Sequence, residues 1–454
     1  MSSYMAVLRL PFAARTFGAA LVGRLSYGTV FLSLTLALTH ATGSVGRTGA
    51  VVAVFALVIA GSAPLRARLI DRYGARRVLM PLSLAYACSL MGLAAATWRP
   101  GAPLWVLEGA ALAAGATAPP LGPTMRTLWR AMCGPDRALM QRAFSLDTVA
   151  EEVIGVSGPL VVGVLVLVGN PAVGLVLSAG LVGVGTAAMM ASPVVGAAAA
   201  GRSRGTDESS SGSSGSPGSS GDQSAPARRT GLLRRRPRRA RGAGSTRSFS
   251  RILEPVVAAA GVGLGLGAQN LVIVAFAVQR HQTSAIAWAD AGMSVGSIVG
   301  GLVYGAVTWP VPSRARLPLL TAALGLCVAA AALAPNVWVL TAVTTVTGLF
   351  MSPMLACAYL VADELAAEDA RTAAGAWVNN AFNAGSSGGY AAMGTALARL
   401  PLGWCFTLAA APVLLAAGVA RAWQGRLREL TAGREASAPA DRAPAEEPVR
   451  AAAV

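Results

Sequence analysis

Long runs of apolar residues, each of about 20, recur along the chain with short polar breaks between them. The runs are apolar on every face, so the one-sided pattern of period 3.6 that marks a soluble helix is missing. About 20 residues is the length a helix needs to cross a hydrocarbon core of about 30 Å. Inside that core no water bonds the backbone, so an open-ended element must be helical. The pattern therefore predicts an all-α membrane protein with twelve transmembrane helices. They fall at 19–40, 49–65, 78–97, 104–124, 144–168 and 171–193, then at 254–279, 285–308, 317–334, 337–360, 373–396 and 402–423.

Polar composition divides the chain further. An N-terminal six-helix bundle is expected over 1–193 and a C-terminal one over 253–424. Between them, 194–252 reads "SSSGSSGSPGSSG" and then "RRTGLLRRRPRRARG". This is a disordered linker, Ser/Gly-rich and then arginine-rich. Its arginines suit attraction to an anionic leaflet, worth about 1 kcal/mol each near the surface. The Ala/Pro/Arg/Glu-rich stretch 425–454 reads as a disordered tail.

The formal net charge is +17, and every one of the 37 basic residues is arginine. Because the arginines lie between apolar runs, a membrane surface explains them better than nucleic acid does. One set of short loops holds Arg47, Arg99, Arg280 and Arg399, while the other set and the N-terminal segment hold fourteen. The rule that basic loops stay inside places that second set, both termini and the linker in the cytoplasm of a bacterial cell.

The five cysteines form no CxxC pair, and the two histidines, His40 and His281, end spans one and seven on the outer side. No disulfide framework or metal site is implied. No GxSxG, HExxH or phosphate-binding loop occurs, which argues against an enzyme or an ATP-driven pump.

The halves repeat. A shift of 233 positions lays Pro120 on Pro353, Phe144 on Trp377, Asp147 on Asn380 and Gly155 on Gly388. Parallel repeats of this kind build transporters with the binding site between the halves. Between spans two and three runs "ARLIDRYGARRVL" (67–79). It resembles the loop motif of the major facilitator superfamily, with Asp71, Arg72, Tyr73, Gly74, Arg76 and Arg77 in its places and Ala67 where glycine is usual. The resemblance covers Arg15 to about Trp423 and implies an alternating-access transporter, expected as a monomer without cofactor. Its partners are the bilayer, a small-molecule substrate and protons. In the family, the aspartate faces the N-terminal end of span eleven and latches the halves; here that end is near Arg371–Ala373. The arginines anchor the loop, and Gly74 permits its turn.

"GVSGPLVVG" (155–163) in span five is similar to the Gly-Pro motif of family exporters, truncated at both ends. Pro159 bends the span and small residues such as Gly158 allow close helix packing. The resemblance thus leans towards the actinobacterial drug and small-molecule exporters of the family, against an uptake permease of the same fold. One departure stands out. Family exporters often carry an arginine before a Gln-Gly in span four, whereas "WVLEG" supplies Trp105 and then Glu108-Gly109.

Within the membrane, "SLDTVAEEVIG" (145–155) carries Asp147 and Glu151 on one helix face, with Glu152 about 100° round. Ionised groups at this depth cost about 2.5 kcal/mol or more in lipid, so they must face protein or water. Carboxyl groups this close are hard to ionise together, which makes them candidates for proton or substrate contact. Asp147 can also pair with Arg126, Arg130 or Arg142. Arg24 in span one either meets an acid of span five or snorkels to the surface. Asn379, Asn380 and Asn383 open span eleven, with Asn379 and Asn383 on one face, for packing or cavity lining. Glu108 and Asp290 read as interfacial, near the outer ends of spans four and eight.

Overall fold

A computed structural model describes residues 2–196, 243–282 and 284–436. A short helix α1 (Ser2–Leu8) is followed by α2 (Ala13–Thr42), α3 (Val45–Tyr73), α4 (Ala75–Thr97), α5 (Leu104–Thr117), α6 (Leu121–Cys133), α7 (Arg137–Val168) and α8 (Val173–Met190). The second bundle comprises α9 (Ala243–Gln279), α10 (Ser284–Ala306), α11 (Ser313–Ala330), α12 (Val337–Leu365), α13 (Arg371–Leu397) and α14 (Leu402–Ala436). These are the expected twelve crossings in two six-helix units, with α5 and α6 together making the fourth. Ten helices among the described residues are long and apolar enough to span a membrane. The other two crossings are the broken fourth and the polar eleventh.

Several boundaries differ from the sequence expectation. The fourth crossing does not end at 124 but runs to Cys133. Pro119 and Pro120 break it, because neither can donate a helical hydrogen bond. The carbonyl of Gly115, four residues before Pro119, accepts instead from Arg66 Nη1 at 2.8 Å. The Tyr27 hydroxyl donates to the Pro119 carbonyl. Arg66 was expected as part of a surface loop, yet it is buried and stays inside α3. The loop between spans two and three shrinks to Gly74 alone, at φ +88°, a region closed to most side chains. Helix α14 continues to Ala436, past the tail boundary expected at 425, and α9 begins at Ala243, within the stretch expected as linker. Most of that linker and the end of the tail lie outside the described residues.

Small residues bring helices together where apolar side chains gain little from leaving lipid. A Cβ on Gly263, Gly267, Gly385 or Gly389 would collide with a backbone oxygen on the facing helix, which welds α9 to α13. Gly158 does the same for the first bundle. A Cβ there would run into the Gly28 backbone of α2. Pro159 lies inside α7 without breaking it.

Candidate functional site

Four of the candidate charges converge at the centre of the first bundle. Arg24 on α2 donates through Nη1 to Asp147 Oδ1 at 2.7 Å and through Nη2 to Glu151 Oε1 at 2.5 Å. From α6, Arg126 donates to the same Glu151 oxygen at 2.8 Å, and its Nε lies 2.9 Å from Asp147 Oδ2. Two guanidinium groups thus meet two carboxylates, and the cluster is formally neutral. The break at Pro119–Pro120 matters here, because it starts a fresh helix that delivers Arg126 to the acids. The Asp147 side chain is fully buried between the arginines, whereas 30% of the Glu151 side chain reaches solvent. Arg24 is therefore buried and paired rather than snorkelling. Glu152 takes no part; it faces Ser297 on α10.

The polar chain continues into the second bundle. The Arg126 guanidinium stacks on the Tyr359 ring, 3.5 Å from its centroid. Asn379 donates to the Tyr359 hydroxyl at 3.2 Å, and Asn383 donates to Asn379 Oδ1 at 2.8 Å. Arg24, Asp147, Glu151, Asn379 and Asn383 therefore belong to one connected array through Arg126 and Tyr359. Asn380 turns elsewhere. Pro64 in α3 leaves the Ala60 carbonyl without its helical donor, and the Asn380 side-chain amide supplies one across the two bundles.

The loop motif lies at the end of the bundle rich in arginine. Asp71 accepts from the backbone N–H of Thr372 at 3.2 Å and of Ala373 at 2.9 Å. These are first-turn donors of α13, which have no partner within their own helix. The carboxylate also meets the positive end of that helix. Beside it, Arg72 leans over the Tyr73 ring at 4.9 Å. Arg76 and Arg77 are exposed at the start of α4.

Further bonds tie the bundles at this same end. Arg130 pairs with Asp363, and Arg371 adds a longer contact to that carboxylate at 4.0 Å. Gln141 donates to the Tyr304 carbonyl at 2.8 Å and accepts from Arg316 at 2.8 Å. Ser145 donates to the Gly301 carbonyl and Tyr4 to the Leu302 carbonyl. Among the described residues, no hydrogen bond or ion pair joins the bundles at their opposite ends.

Tyr359 and Asp363 were missed by sequence reasoning, though the repeat carried the signal. Arg126 and Tyr359 are 233 apart, as are Arg130 and Asp363. Each pair occupies equivalent positions in the two halves, so each meets at the axis relating them.

A family model described as Major Facilitator Superfamily matches residues 16–253, just over half of the chain. The chain belongs to this superfamily. Solved structures of similar shape cover both bundles. A bacterial homologue of the iron transporter ferroportin, in an outward-facing state with soaked iron, superposes with a TM-score of 0.67 at 13% identity, over 90% of this chain and 98% of that one. The human organic anion transporter TETRAN gives 0.61 at 14% identity, over 90% and 98%. A variant of the E. coli fucose:proton symporter gives 0.58 at 12% identity, over 92% and 99%. At such identities the likeness is one of fold. Among curated proteins none matches. As a superfamily member, the protein is a multi-pass membrane transporter by fold, not an enzyme.

Proposed function

We propose that this superfamily member is a secondary transporter that exports a small amphipathic molecule in exchange for protons by alternating access. The observation that carries the reading is the one-sided closure: bonds between the bundles gather at the Asp71 end and are absent from the other among the described residues. Rigid halves that touch at one end can rock about a central site. With arginine-rich loops on the cytoplasmic side of a bacterial plasma membrane, the state is outward-facing, and Asp71 with Arg72, Gly74, Arg76 and Arg77 forms its latch.

Glu151 is the proton carrier in this reading. It shares two arginines with Asp147, and its carboxylate is the one that reaches solvent. Protonation would free Arg24 and Arg126 to rearrange against Tyr359 in the other bundle. Asp147 holds the arginines in place, and Asn379 and Asn383 line the path on the second half. Proton coupling occurs in the fucose:proton symporter of the same fold.

Two measurements test this. Deletion of the gene should raise intracellular accumulation of members of a compound panel, and overexpression should lower it; the reverse pattern would make the protein an uptake permease. In proteoliposomes, Glu151→Gln should abolish the response of transport to a pH gradient while substrate exchange persists. Full proton-driven transport by both Glu151→Gln and Glu152→Gln would make these acids structural.

A further inference from the structure

Helix α1 lies outside the twelve crossings and has only seven residues. A helix so short is not stable on its own, so packing must hold it. Tyr4, Val7 and Leu8 share one face, at spacings of three and four. Val7 is fully buried in the apolar core and Leu8 packs against that core, whereas Met5 is 46% exposed.

Tyr4 reaches past the first bundle. Its hydroxyl donates to the Leu302 carbonyl of α10 at 2.5 Å, with the Gly301 carbonyl at 3.3 Å. Gly305, one turn further along α10, leaves the room for it. A Cβ there would collide with the Tyr4 hydroxyl and with Ser145 of α7. Helix α1 thus bridges the seam between α7 and α10 at the arginine-rich end, and the bridge can exist only while that end is closed.

The elbow behind α1 is strained. Phe12 precedes α2 with φ +62° and ψ 1°, a left-handed conformation that is costly for a bulky side chain. Glycine would adopt it freely. Packing of the ring does not explain the choice, because Phe12 is 51% exposed. The elbow follows instead from its flanks. Ala13 is fully buried at the start of α2, and Val7 and Tyr4 are docked on the other side. Leu10 closes the turn between them, donating to the Val7 carbonyl at 3.2 Å and accepting from the Ala13 N–H at 3.0 Å. Docking of α1 holds Phe12 in strain, and undocking relieves it. Hook and elbow oppose one another, which leaves the bridge made but ready to let go.

We propose that α1 is a strap across this seam, hooked by Tyr4 to α10, and that unhooking is a step in opening the arginine-rich end. The proposal rests on the reading that the two halves rock. The strap adds to the Asp71 latch and acts elsewhere on the seam: Asp71 joins α3 to α13, whereas Tyr4 joins the first bundle to α10. Tyr4 and Phe12 set the opening rate in opposite directions.

The test uses the full chain in inverted vesicles, with Ala376→Cys as the reporter and the exposed Cys88 replaced by serine. Ala376 is buried between α3 and α13, helices that α1 does not bridge. Its labelling by a membrane-impermeant maleimide therefore reads opening of the whole end rather than loosening around Tyr4. Tyr4→Phe, which removes the hydroxyl alone, should accelerate labelling about fivefold, the weight of one neutral hydrogen bond. Phe12→Gly should slow it about threefold, because glycine holds the elbow without strain; loss of folding could not slow it. Met5→Ala, on the exposed side of α1, should leave the rate unchanged. Asp71→Asn is the control for rocking. If Asp71→Asn speeds labelling while Tyr4→Phe does not, the strap is overturned and the transporter reading stands. Faster labelling with Phe12→Gly would also overturn the strap. If neither Asp71→Asn nor Tyr4→Phe changes the rate, the strap and the one-sided closure fall together.

Discussion

Asp71→Asn isolates the charge of the latch. The carboxylate holds two first-turn N–H groups of α13 at 3.2 and 2.9 Å. Hydrogen bonds to a charged group contribute about 1.5–3 kcal/mol each, and neutral ones about 1. Asparagine keeps one acceptor oxygen, turns the other into a donor facing a donor, and loses the attraction of the helix terminus, about 0.3–1 kcal/mol. Asp71 is half-exposed, so solvent screening reduces the sum to about 2 kcal/mol. At 1.4 kcal/mol per factor of ten, the closed-to-open ratio at this end should fall about 30-fold. Ala376 reports that ratio. It is 2% exposed and packs with Ala67 and Ala373 between α3 and α13. In an Ala376→Cys protein whose exposed Cys88 is replaced by serine, labelling by a membrane-impermeant maleimide in inverted vesicles should accelerate by about that factor. Arg68→Gln, at an exposed neighbour outside the latch, should leave the rate unchanged. No acceleration with Asp71→Asn would refute the latch.

Two further outcomes follow from packing and pairing. Gly158→Ala should lower the thermal midpoint, because its Cβ would collide with the Gly28 backbone and overpacking costs about 1–3 kcal/mol. Gly155→Ala in the same motif, with nothing within 4 Å, should not lower it. Asp363→Arg alone should favour opening of the arginine-rich end by setting it against Arg130, and adding Arg130→Asp should restore closure, as read by the same maleimide rate. If the double variant labels as fast as the single one, the pair does not act across the halves.

The crossings were readable because the bilayer dictates their length and leaves the backbone no choice but helix. The end of the fourth was not. Apolar residues give way to Arg126 and Arg130 after the double proline, and hydropathy cannot tell an arginine in water from one buried on carboxylates. The convergence of Arg24 on span-five acids was among the alternatives the sequence offered; which alternative held depended on the crossing of α2, α6 and α7, fixed partly by Gly28 against Gly158.

The pairing of Arg126 with Tyr359 and of Arg130 with Asp363 carries a consequence for ancestry and assembly. A symmetric dimer of one six-helix unit sets each residue on its axis against its own copy. An arginine there would oppose an arginine, and an aspartate an aspartate. Complementary partners at equivalent positions can arise only once the two copies are separately encoded, as in this duplicated polypeptide, and free to diverge. Each half has thereby become a poor partner for itself: two second halves would bring Asp363 against Asp363. Two genes expressing the halves separately should therefore yield the mixed pair in preference to either symmetric one.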